Sequence, residues 1–126
     1  VIRDVCIEVR PAEIVAFRGP SGAGKTTLLL TAVGVLPAKA GTFRVLGSGV
    51  RRGAHHQVRR GLAFVPEDRS VIRSLNVRDN LLLGAGSVDA AIQVFPELGT
   101  LLDRSAGLLS GGEQKMLTLA RALIIR

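Results

Sequence analysis

The chain has 126 residues, 47% hydrophobic and 21% charged, a composition of folded domains rather than of disordered segments. The net charge of +7 invites a polyanionic partner, yet Trp and Tyr are absent and Phe occurs four times, so no aromatic platform for stacking bases is present. Cys6 is the single cysteine, which excludes an internal disulfide framework and a cysteine-based metal cluster, and no apolar run approaches the roughly 18 residues that a membrane-spanning helix needs. The chain starts at Val1 and stops at Arg126 inside what reads as a helix, so we expect a cytosolic piece of a longer protein.

In chain order, residues 5–9 alternate enough for a strand, and Arg10-Pro11-Ala12-Glu13 reads as a tight turn. Ile14-Val15-Ala16-Phe17 is a continuous apolar run, as in a strand buried on both faces. A glycine-rich loop over residues 19–24 follows, then a helix over 25–35 that stops before Pro37. Residues 42–46 read as a strand, 55–60 as a short helix ending at Gly61, and 62–65 as another buried strand ended by Pro66. From 75 to 104 the pattern is helical, with breaks at 84–87, at Pro96 and near Gly99, and residues 112–125 form a last helix. Strands alternating with helices predict an α/β domain.

The strongest local signal is Gly19-Pro20-Ser21-Gly22-Ala23-Gly24-Lys25-Thr26, which satisfies G-x-x-x-x-G-K-[ST]. Glycines let the backbone curl so that successive N–H groups converge on phosphate oxygens, and the following helix aims its positive end at the same anion. Lys25 is expected on the β- and γ-phosphates, the Thr26 hydroxyl on magnesium and Thr27 near the α-phosphate. The motif follows what reads as a buried strand and opens what reads as an amphipathic helix, the context its mechanism demands. ATP or GTP is the expected ligand.

A second run, Leu109-Ser110-Gly111-Gly112-Glu113-Gln114, has the spacing of a capping box, with Ser110 as N-cap and Glu113 three residues later. Two glycines in the first turn leave its N–H groups bare to an approaching anion, although capping boxes also occur without ligands. Cys6 reads as a small core residue. His55 and His56, in the basic stretch Arg51, Arg52, Arg59 and Arg60, read as solvated rather than as metal ligands. The leucines at 28–30 and 81–83 read as helix core.

On these residues the chain resembles the ATP-binding cassette family. The run from Gly19 to Thr26 resembles its Walker A loop, and the run from Leu109 to Gln114 resembles its signature motif. The resemblance implies a three-layer α/β P-loop cassette with an inserted helical subdomain, incomplete at both ends: 1–70 and 109–126 as nucleotide-binding core, 71–108 as helical subdomain. It implies ATP and Mg2+ as cofactors, with Ser110, Gly111, Gly112 and Glu113 acting on nucleotide held by a second cassette, identical or different. Membrane permease subunits are implied as partners, no nucleic acid is expected, and the implied location is peripheral, at the cytoplasmic face of the cell membrane.

Phe64-Val65-Pro66-Glu67-Asp68-Arg69 puts Glu67 where most cassettes carry the Q-loop glutamine. A carboxylate there would be repelled by a triphosphate unless magnesium lies between them, so Glu67 is expected as a metal-side or water-side ligand. With Lys25 and Ser110 it completes the expected catalytic set. Val65-Pro66-Glu67, the segment 74–81 and Phe95-Pro96-Glu97-Leu98 are similar to branched-chain amino acid importers. Sugar importers also carry Val-Pro-Glu-Asp-Arg in one cassette, and nucleic-acid-associated cassette ATPases share the two main motifs. The family's aspartate-glutamate strand end, its later histidine and its adenine-stacking aromatic are not in this sequence. We therefore expect an ATPase in the parent protein but little turnover by these residues alone.

Overall fold

A computed structural model describes residues 3–50, 53–67 and 71–124. Arg51, Arg52, Asp68 and Arg69, which figured in the basic stretch and in the importer resemblance, lie outside the described residues. The chain divides into two compact units, Val1–Leu62 and Ala63–Arg126.

In the first unit, α1 (Lys25–Ala32) is followed by a two-residue hairpin, β1 (Arg44–Val45) with β2 (Ser48–Gly49), and by α2 (Ala54–Val58). The strands are antiparallel, with Arg44 opposite Gly49 and Val45 opposite Ser48. Leu46 and Gly47 make the turn, both at positive φ. α1 ends three residues short of the expected 35, its last carbonyls taken by Val33, Gly34 and Val35 N–H groups. Gln57 on α2 is buried, and its amide oxygen accepts from Arg60, whose guanidinium also donates to the Val45 and Leu46 carbonyls at 2.8 Å. This arginine ties α2 to the hairpin.

The expected strands at 5–9, 14–17 and 62–65 do not form; among the described residues the one ladder is β1 with β2. An apolar run specifies a strand only where neighbours meet its N–H and C=O groups. Here Ile14 is 97% exposed, and Val5, Ile7 and Val9 are exposed with it. Cys6 is likewise exposed, which corrects its reading as a core residue.

The second unit is helical: α3 (Val77–Leu82), α4 (Val88–Val94), 3₁₀ turns at Pro96–Thr100 and Ala106–Leu108, and α5 (Gly111–Leu123). Each α-helix starts on a side-chain cap. The Asn76 amide oxygen accepts from Asp79 N–H at 2.7 Å, and the Ser87 hydroxyl from Ala90 N–H at 3.1 Å. Pro96 opens its 3₁₀ turn, where a missing N–H costs nothing. Val77, Leu81, Ala91, Leu98, Ala106, Leu109, Leu117, Ala120 and Ile124 form one core. Leu81, Leu98 and Leu117 are its largest apolar members, each contributing roughly 1.5–3 kcal/mol by burial. Of the two leucine runs read as helix core, only Leu81 is buried: Leu82 and Leu83 are exposed, and α1 has no buried residue, with Leu29 exposed and Leu28 and Leu30 half-buried.

Candidate nucleotide-binding site

The phosphate-loop motif is built by backbone conformation. Gly22 has φ 80° and Gly24, the N-cap of α1, has φ 90° and ψ 9°, left-handed conformations that L side chains rarely adopt. Ala23 N–H donates to the Pro20 carbonyl at 3.3 Å, closing the turn between them. The left-handed Gly24 then launches the helix, and Leu28 N–H takes the Gly24 carbonyl at 2.9 Å. By helix geometry the N–H groups of Lys25, Thr26 and Thr27 have no intrahelical acceptor. Gly24 offers no side chain to cap them, and the first turn holds no acidic residue. The positive end of α1 is thus left without a competing carboxylate.

Lys25 folds back over this loop. Its ammonium donates to the Gly19 and Pro20 carbonyls, both at 2.8 Å, and its side chain spans the curl that the glycines make. Thr26 and Thr27 are exposed, as are Ser21 and Ala23. The structure therefore brings Gly19, Pro20, Ser21, Gly22, Ala23, Gly24, Lys25, Thr26 and Thr27 into one curl at a helix N-terminus, with a cation over it. Glycine conformation, bare N–H groups and a lysine are the donor set that fits a magnesium-bound polyphosphate.

In the second unit Ser110 caps α5 as the sequence predicts. Its hydroxyl accepts from Glu113 N–H at 3.2 Å, and its own N–H donates to a Glu113 carboxylate oxygen at 2.6 Å. The Ser110 backbone and side-chain hydrogen bonds, with a smaller contribution from the Arg104 charge, hold the Glu113 carboxyl below its usual value of 4.5. A Cβ added to Gly111 or Gly112 would meet nothing within 4 Å, and neither residue has positive φ. Neither packing nor backbone conformation within the unit requires glycine there. Gln114, half-buried, donates to the Leu109 carbonyl at 3.0 Å and fixes the approach to the cap.

Glu67 is exposed. Among the described residues no cluster of three or more His, Cys, Asp or Glu side chains could hold a metal by itself. Sequence reasoning passed over Asn80, a fully buried amide in a leucine-rich helix, and Gly107, whose missing Cβ lets the Arg73 backbone approach. The signal for Asn80 was a polar residue at a core position of the helical period.

The model of the ABC transporter family matches residues 2–126. A high-affinity branched-chain amino acid transport ATP-binding protein, BraG of Pseudomonas aeruginosa, is 38% identical over 98% of this chain and 57% of its own length. A probable branched-chain amino acid transport ATP-binding protein, LivF of Archaeoglobus fulgidus, is 34% identical over the same shares. The lipopolysaccharide export system ATP-binding protein LptB of Escherichia coli is 35% identical over 98% of this chain and 56% of its own. The chain thus spans little more than half the length of these curated relatives. Among solved structures, a nucleotide-free ATP-binding cassette from an ABC transporter aligns over 83% of this chain and 51% of its own, with TM-score 0.67 and 24% identity. A bacterial Atm1-family ABC exporter with ATP bound aligns over 83% of this chain and 21% of its own, with TM-score 0.66 and 27% identity. The fold is that of a P-loop ATPase cassette, in part, and the chain belongs to the ABC transporter family.

Proposed function

We propose that this chain is the nucleotide-binding part of an ATP-hydrolysing subunit that energises a membrane transporter. The observation that carries the reading is the curl from Gly19 to Thr26: Gly22 and Gly24 in left-handed conformations, an uncapped helix N-terminus and Lys25 above it. Lys25 and the loop N–H groups would hold the phosphates, Thr26 would ligate the magnesium ion, and Thr27 would lie near the α-phosphate. Bound MgATP supplies the phosphoanhydride whose cleavage drives transport. The Lys25 ammonium uses two of its three N–H groups on the Gly19 and Pro20 carbonyls, so the third could donate to a phosphate oxygen in a charge-assisted hydrogen bond.

Ser110, Gly111, Gly112 and Glu113 are proposed to act on nucleotide held by a second cassette. The Ser110 oxygen accepts the capping bond while its O–H faces the Glu113 carboxylate, so it would turn from that carboxylate to donate to a phosphate oxygen. Gly111 and Gly112 then have a reason to lack side chains that the unit itself does not give: a partner's anion comes close to the backbone. Glu113 orders the cap, and exposed Glu67 serves on the metal or water side. In this arrangement residues 1–70 and 109–126 are the nucleotide core and 71–108 the helical subdomain, whose outer face meets a permease.

Branched-chain amino acids are the proposed cargo. The support is the importer resemblance at Val65-Pro66-Glu67 and Phe95-Pro96-Glu97-Leu98, together with relatives carrying that description. Among the described residues no helix is long and apolar enough to cross a membrane. The proposed place is peripheral, at the cytoplasmic face, beside separate permease chains. The test is a titration of the chain with MgATP. Binding weakened about tenfold or more by Lys25→Ala, with the helical unit still folded, supports the reading. Equal affinity in both forms ends it.

A further inference from the structure

We infer that Asn80 is a positioning residue, which fastens the segment after Glu67 to the segment that carries Ser110. The inference rests on the proposed role of Ser110. Asn80 is fully buried on α3, and every polar atom of its amide is engaged. The oxygen accepts from Ile72 N–H at 2.8 Å; the nitrogen donates to the Ile72, Asn76 and Leu75 carbonyls at 3.0, 2.9 and 3.4 Å. One side chain thus fixes the backbone of residues 72–76 from one side.

From the other side the same segment holds the residues just ahead of the signature. The Arg73 carbonyl accepts from Gly107 N–H and from the Ser105 hydroxyl, both at 3.0 Å, and the Leu75 carbonyl accepts from Ala106 N–H at 2.9 Å. A Cβ on Gly107 would lie 3.0 Å from the Arg73 carbonyl oxygen, so the two backbones are in close contact. Residues 106–108 turn directly into Leu109 and the Ser110 cap. Removing the amide leaves Ile72 N–H without its buried acceptor and frees the whole strap to shift, and Ser110 shifts with it.

Two measurements test this on the full-length protein. In amide exchange, Asn80→Ala should speed exchange at Ala106 and Gly107 about tenfold or more while Leu117 stays protected. Unchanged exchange at Ala106 and Gly107 overturns the proposal. In MgATP turnover, Asn80→Ala should lower kcat about tenfold, with KM for ATP within about twofold, and should cost nothing further in a Ser110→Ala background. Gly107→Ala, which keeps every hydrogen-bonding group but wedges the two backbones apart, should give the same pattern more weakly. A multiplicative loss in the double variant means general destabilisation and overturns the inference while leaving Ser110 in its role. If Ser110→Ala itself keeps full kcat, the proposed role of Ser110 fails, and this inference fails with it.

Discussion

In Val1–Leu62 the motif between Gly19 and Thr26 keeps its shape by backbone conformation and by the Lys25 ammonium, although Val33 is the one large apolar side chain buried there among the described residues. In Ala63–Arg126 the Ser110 cap stands at the head of a helix whose Leu117, Ala120 and Ile124 lie in a nine-residue core. The first arrangement is local and asks little of the packing around it; the second is held from beneath. The two proposed nucleotide contacts would therefore be damaged by different means, through the backbone in the first unit and through the core in the second.

The largest effect should come from the core. Leu81→Ala removes a fully buried side chain and should cost about 2–5 kcal/mol of stability in the helical unit, read by denaturant unfolding. A loss well under that would mean the core is looser than its burial says. Gly24→Ala acts on the other side of the comparison. It forces a Cβ onto a residue at φ 90°, about 1–2 kcal/mol of local strain, and should weaken MgATP binding while the helical unit unfolds as before.

Ser110→Ala should be smaller. Loss of the N-cap costs about 1 kcal/mol and lowers α5 stability without touching nucleotide affinity at the phosphate loop. Smallest is the pH response of the same cap. Because the folded Glu113 carboxyl lies below its usual 4.5, its contribution is present above that value and lost as pH falls through the lowered one. The stability difference between wild type and Glu113→Gln should accordingly shrink as pH falls below the usual carboxyl value of 4.5. A difference that grows on acidification would contradict the carboxylate's role in the cap.

Both motifs were legible because each depends on neighbours in sequence. The glycines at 22 and 24, Lys25, and the Ser110–Glu113 spacing define their own geometry within a few residues. The helix breaks at Gly84-Ala85-Gly86-Ser87 and at Pro96 were legible for the same reason, since Ser87 and Pro96 start the next elements. Their second meaning was not. A Cβ on Gly86 would collide with the Ile124 carbonyl and side chain, a contact made across 38 positions of sequence. Asn80 was missed likewise, since its partners at Ile72 and Leu75 are set by a loop path that no periodicity encodes. The strands at 5–9, 14–17 and 62–65 failed in the opposite direction. Their apolar content was plain, but a strand needs a neighbour, and among the described residues the one ladder joins Arg44–Val45 to Ser48–Gly49.

The most direct test of the account is amide hydrogen exchange across the chain, with and without MgATP. Slowed exchange is expected at the N–H groups of residues 21–27, with the core amides of α3 and α5 unchanged. Exchange at residues 21–27 that ignores MgATP would contradict nucleotide binding there.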